Sequence, residues 1–104
     1  FISILYYTYM TATCKKFSQF GKCIGNPARF RMLELLLAGP MTVNAIARRL
    51  RLSQPAASQH LRVLRQSGLV DDSKRGQEVH YALNSARIQS LLRELLADFE
   101  RRSR

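Results

Sequence analysis

Residues 42–68, TVNAIARRLRLSQPAASQHLRVLRQSG, read as two short helices joined by a tight polar turn. In the first half Val43, Ile46, Ala47 and Leu50 recur at the i, i+3, i+4, i+7 spacing of one buried helical face, with Arg48, Arg49 and Arg51 outside that stripe. In the second half Ala57, Leu61 and Leu64 repeat the spacing. Ser53 is a strong N-cap residue, Pro55 sits in the first turn where its missing N–H costs nothing, and Gly68 follows the last periodic residue as a helix stop. The pattern predicts a helix-turn-helix whose second helix occupies residues 54–67.

The outer side of that second helix carries Gln54, Ser58, Gln59, Arg62 and Arg65: amides, a hydroxyl and guanidinium groups, with no carboxylate. Gln bonds bidentately to adenine, Ser to several bases, and Arg to guanine or phosphate, which is the chemistry a helix laid in a major groove requires. A solvated polar face on a surface helix is the commoner meaning of such residues, but a merely soluble face mixes both signs of charge. Here no Asp or Glu occurs between Glu34 and Asp71, while five Arg do.

Downstream, Leu69 and Val70 lead into a polar tip over residues 71–77, after which Val79, Tyr81 and Leu83 alternate with Glu78, His80 and Ala82. This predicts a two-stranded hairpin, with Gly76 supplying the turn and Lys74 and Arg75 at a basic tip. Asn84 or Ser85 then caps a helix striped with Ile88, Leu91, Leu92, Leu95 and Phe99. Upstream, Phe17, Phe20 and Ile24 share one side of a short amphipathic helix that Gly25 ends. Asn26 caps the next helix and Pro27 opens it; Phe30, Leu33 and Leu37 form its expected inward stripe, widened by Met32, Leu35 and Leu36, before Gly39 and Pro40 break it. Short helices that include the helix-turn-helix, then a two-stranded wing over residues 71–78 and a final long helix, make a mainly α chain with a small β-hairpin, the layout of a winged helix-turn-helix.

With 104 residues there is chain for one modest core, taken as a single domain over residues 11–104. Residues 1–10, FISILYYTYM, read as an N-terminal extension with Met10 a candidate start; they are too short to span a bilayer and lack the basic start of a secretory signal. The formal charge of +10, from 17 Lys and Arg against 7 Asp and Glu, calls for an acidic partner. The excess is spread over several elements rather than along one helix opposite a Trp, Phe and Leu face, which favours double-stranded DNA over a membrane surface. Two cysteines make no disulfide framework, so a reducing cytoplasm is expected.

The runs IGNPARFRMLELL, LSQPAASQHLRVLRQSGLV and RGQEVHYAL resemble the ArsR/SmtB family of small bacterial and archaeal repressors, over residues 17–99. The resemblance implies a homodimer built from the first and last helices, with two recognition helices in successive major grooves and the wings near the minor groove. Carried over onto matching positions, the resemblance implies that Gln54, Ser58 and Gln59 read bases and Arg62 touches backbone. Arg48, Arg49, Lys74 and Arg75, cations of the helix-turn-helix and the wing, are expected as further phosphate contacts. The stripe Ile88, Leu91, Leu92, Leu95 and Phe99 is longer than a small wing and short helices can cover, and Phe17 and Phe20 share the shortage, so these residues are expected at the dimer interface.

The chain departs from the family where metal-sensing members carry ligands. The Cys-x-x-Asp-type set is replaced by Thr42 and Ala45, and no His occurs from Asn84 to Arg104, so neither a metal nor another cofactor is expected. His60 reads as packing beside the core or touching a phosphate, and His80 as lying on the wing surface. Cys14 and Cys23 are the remaining soft ligands. One reading makes Cys23 a small buried residue, where the family usually has Ala, and Cys14 an incidental thiol. The other makes them a redox or soft-metal sensor answering a thiol-reactive inducer. On one continuous helix, nine residues would separate them by ~13.5 Å, beyond the roughly 7 Å limit for a disulfide. The competing functional class is a winged-helix protein-interaction module without specific DNA binding. An enzyme is not expected: there is no paired-carboxylate site, no nucleophile with a base at a suitable spacing and no phosphate-binding Gly-rich loop.

Overall fold

The computed structural model describes residues 12–102, with side chains described over residues 15–101; the extension at residues 1–10 lies outside them. Five helices and three strands follow in the order α1 (Ala12–Ile24), α2 (Pro27–Leu36), β1 (Met41–Thr42), α3 (Val43–Leu50), α4 (Gln54–Gln66), β2 (Val70–Arg75), β3 (Glu78–Leu83) and α5 (Ser85–Arg102). Ile46 and Ala47 of α3 and Ala57, Leu61 and Leu64 of α4 meet Cys23, Met32, Leu36, Leu69 and Val70 in one core. The winged helix-turn-helix is therefore built on the two stripes that the periodicity of residues 42–68 predicts.

Local capping sets most of the boundaries. Asn26 Oδ1 accepts from Ala28 N at 3.0 Å and Arg29 N at 3.2 Å, Ser53 Oγ from Ala56 N at 3.2 Å, and Asn84 Oδ1, rather than Ser85, from Arg87 N at 3.0 Å. Each satisfies donors that the first helical turn leaves open. Gly68 closes α4 at φ +79°, with Leu69 N bonded to Leu64 O at 3.0 Å. Arg51 performs the same service for α3 at φ 56°, with Leu52 N on Ala47 O at 2.9 Å. Both are left-handed stops, and an arginine in that conformation costs about 1–2 kcal/mol that glycine does not.

Three expectations are corrected. First, the β2–β3 hairpin of the wing forms as expected but is joined by a further strand, in a three-stranded antiparallel sheet of order β1-β3-β2. Met41 pairs with Tyr81 and Thr42 with His80, and Thr42 Oγ1 also caps α3 by accepting from Ala45 N at 3.2 Å. The same two residues thus tie the helix-turn-helix to the wing. His80 is consequently half-buried in the central strand and not out on the wing surface. Second, there is no seven-residue polar tip: β2 runs to Arg75, which pairs with Glu78 across a turn made by Gly76 and Gln77. Gly76 takes φ +64°, as such a tight turn requires.

Third, α2 turns a different face inward. Phe30 and Leu37 are 48% and 76% exposed, while Met32 and Leu36 are buried and Leu33 is half-buried. Arg29 explains the rotation. Its Nε donates to Cys23 O at 2.7 Å and its Nη2 to Lys22 O at 3.2 Å, capping the carbonyl end of α1. With Arg29 held toward α1, the face at 29, 32, 33 and 36 must point inward, and Phe30 is carried outward.

Candidate nucleic-acid interface

α4 is apolar on one side and polar on the other, and the fold buries the first completely. Ala57, Leu61 and Leu64 have no exposed surface, while Gln54, Gln59, Arg62 and Arg65 are exposed and Ser58 is half-buried. Since no part of the apolar face remains to be covered, the polar face is free to meet a partner. Arg48 and Arg49 are exposed in the last turn of α3 and Lys74 and Arg75 at the end of β2, so the helix-turn-helix and the wing both present cations. Among the described residues, the side chains of Arg48, Arg49, Arg62, Lys74 and Arg75 make no ion pair with a carboxylate.

Arg65 differs from the other cations of this face. Its Nε lies 2.9 Å from Asp72 Oδ1 on β2, directly across the strands from Tyr81. The carboxylate that the sequence of α4 lacks is therefore supplied by the wing. Tyr81 sits in the same junction: burial pushes its phenol pKa up, the Asp72 carboxylate adds to the rise, and Arg65 and Arg62 oppose it. Helix and wing are joined here by a polar contact that no local pattern announces, because Asp72 is separated from Arg65 by a helix stop. His60, earlier on α4, is half-buried, and its Nδ1 is enclosed without a hydrogen-bond partner among the described residues.

The other candidate residues divide by burial. Cys23 is a free thiol in the core, 3% exposed. Cys14 is on α1 with Cys23, but its side chain lies outside the described ones. Among the described residues, no three His, Cys, Asp or Glu come together as a metal group, and no helix is long and apolar enough to cross a membrane. Of the expected interface stripe, Phe20, Ile88, Leu91 and Leu95 are half-buried within the chain, whereas Phe17, Leu92 and Phe99 are exposed. Leu96, which the sequence reading passed over, is 59% exposed and lies one turn beyond Leu92.

The model of the bacterial regulatory protein arsR family matches residues 26–72, from the start of α2 into the wing. The transcriptional repressor SdpR of Bacillus subtilis is 36% identical over 75 residues, covering 72% of this chain and 83% of that one. The transcriptional activator HlyU of Vibrio cholerae is 41% identical over 75 residues, covering 72% and 68%. The solved structure of HlyU from Vibrio cholerae N16961 superposes with a TM-score of 0.72 at 37% identity, over 86% of this chain and 97% of that one. Taken with the exposed cationic face of α4, these likenesses settle the class: the chain belongs to the arsR family of bacterial regulatory proteins and is a DNA-binding transcriptional regulator, not an enzyme.

Proposed function

We propose that the chain acts as a homodimeric, sequence-specific repressor, with one α4 from each copy in successive major grooves and the wings at the flanking minor grooves. The observation that carries this reading is the division of α4, fully buried on its Leu61 side and free on its Gln54, Gln59 and Arg62 side. Gln54, Ser58 and Gln59 are the base readers. Arg62, Arg48, Arg49, Lys74 and Arg75 bind backbone phosphate, while Arg65, held by Asp72, orients the wing more than it reads sequence.

Dimerisation follows from the exposed row Leu92, Leu96 and Phe99 on α5, with Phe17 on α1, which a two-fold axis would cover. Repression is favoured because a dimer seated on an operator obstructs a promoter without further contacts; the Bacillus relative is a repressor, and the Vibrio relative, an activator, marks the alternative sign. The site of action is the cytoplasm, where bacterial DNA lies. Burial of Cys23 argues against it as the point of attack for a thiol-reactive inducer.

Footprinting on the DNA upstream of the chain's own gene, over a salt series with random competitor, tests the reading. Two protected half-sites about 34–36 Å apart are expected, with log K falling by about 0.9 per log salt for each phosphate neutralised. Equal affinity for operator and random DNA would return the chain to a protein-interaction role.

A further inference from the structure

The middle of α1, the N-terminal half of α5 and the residues that follow α4 surround a cavity of about 370 Å³ that the DNA-binding face does not use. Phe20, Leu69 and Leu91 give it an apolar lining, and Ser67 and Ser90 add hydroxyls. Its size falls within the range of about 300–1,000 Å³ typical of small-molecule sites, and its lining has their mixture of apolar walls and few polar groups.

Its charge is uneven. Lys16 and Glu94 line it and pair with each other at 3.3 Å, but Arg87, also in the lining, has no side-chain hydrogen bond or ion pair among the described residues. Two cations against one carboxylate leave one positive charge uncompensated. Arg87 is also held close over the backbone of Gly68, where a Cβ would collide with its Nε. The missing side chain at Gly68 thus does two things: it allows the left-handed stop of α4, and it makes room for a guanidinium at the cavity.

On α5 the cavity lies away from the exposed apolar row proposed for dimerisation. Arg87, Ser90, Leu91 and Glu94 share one face of α5, and at 100° per residue Leu92, Leu96 and Phe99 stand about 120–180° round the helix from Arg87. On α5 the exposed row and the cavity therefore occupy different faces, while on α1 Phe17 adjoins Phe20 of the lining, their rings 6.3 Å apart.

We propose that the cavity binds a small amphipathic carboxylate, its acid group on Arg87 and its apolar body against Phe20, Leu69 and Leu91, and that occupancy changes affinity for DNA. A guanidinium matches a carboxylate in a two-bond fork. The ligand would touch Ser67 and Leu69, which end the recognition helix, together with α1 and α5, which set the spacing of two copies. This second half rests on the dimeric DNA-binding reading.

Decanoate titrated into the full chain, followed by backbone amide NMR, is the test, with decanol as the uncharged control. Saturable binding of one decanoate per chain is expected, with shifts at Ser67, Leu69, Ser90 and Leu91. Decanol and the Arg87→Gln variant should each bind about tenfold more weakly, for want of the charged fork. Ser90→Phe, at an exposed position where folding is checked by thermal melting, should fill the cavity and abolish binding. Equal binding of decanoate and decanol, retention of binding in Ser90→Phe, or shifts centred on Leu92, Leu96 and Phe99 would overturn the site. Operator affinity should weaken with decanoate in the wild type and not in Ser90→Phe; an unchanged affinity at saturating decanoate overturns the regulatory half. A ligand-free chain that binds no operator defeats the DNA reading instead, and the titration still judges the cavity.

Discussion

α4 and α5 are both amphipathic, yet one is finished by its own chain and the other is not. On α4, Ala57, Leu61 and Leu64 have no exposed surface. On α5, Leu92, Leu96 and Phe99 remain 47%, 59% and 64% exposed. α4 lies against α2, α3 and β2 and is enclosed from three directions, whereas α5 packs chiefly on α1 and has a side that no other element among the described residues covers. A helix closed on its apolar side offers only its polar side to a partner; one left open asks for a second apolar surface. The first arrangement suits a groove in DNA and the second suits another copy of the chain.

The largest effect is expected where α5 is open. Burying a leucine stabilises by about 1.5–3 kcal/mol, and two-fold symmetry counts each substitution twice, so Leu96→Asp should remove on the order of 3–6 kcal/mol from association. Sedimentation should find a folded monomer that no longer binds operator. Leu96 is a cleaner probe than Leu95, whose half-buried side chain also packs within the chain. A mutant that stays dimeric moves the interface elsewhere and ends the contrast between the two helices.

Leu61→Ala, on the closed side of α4, should act on the fold of each chain. A loss of about 2–5 kcal/mol in unfolding free energy is expected for a leucine with no exposed surface, read by denaturant melts at several protein concentrations. Should the loss vanish on dilution to monomer, α4 would not be the self-sufficient helix described above.

On the open polar side of α4, Gln59→Ala should cost about 1–3 kcal/mol for the operator and leave random DNA nearly unaffected, because a base-edge bond counts only at the right sequence. Parallel loss on both DNAs in a mobility-shift series would demote Gln59 to a backbone contact. The smallest effect belongs to Asp72→Asn. Its pair with Arg65 is partly exposed and worth less than about 1 kcal/mol to the fold, but its removal frees a guanidinium and deletes a negative charge beside the DNA face. Affinity for all DNA should rise a few-fold with a steeper salt slope; weaker binding would mean that the wing's placement matters more than the charge.

What the sequence determined by itself are the features closed within a few residues. Asn26, Ser53 and Asn84 cap because their side chains reach amides two or three positions ahead. Gly68 stops α4 because the left-handed backbone there favours a residue without Cβ. The 3.6-residue stripes of α3 and α4 hold because each has a single apolar side. The polar face of α4 was readable for the same reason. The tertiary structure decided whatever depends on a neighbour distant in sequence. In α2, the run Met32, Leu33, Leu35, Leu36 and Leu37 is apolar nearly all round, so periodicity names no inward face; the bonds from Arg29 to the end of α1 choose it. β1 is two residues long, too short to carry an alternation, and becomes a strand only because β3 has an edge to offer. Asp72 meets Arg65, Arg87 covers Gly68, and Leu96 is left in solvent because of how whole elements pack. Local hydrogen bonds and helical periodicity are written residue by residue, while the direction from which an element is covered is a property of the assembled chain.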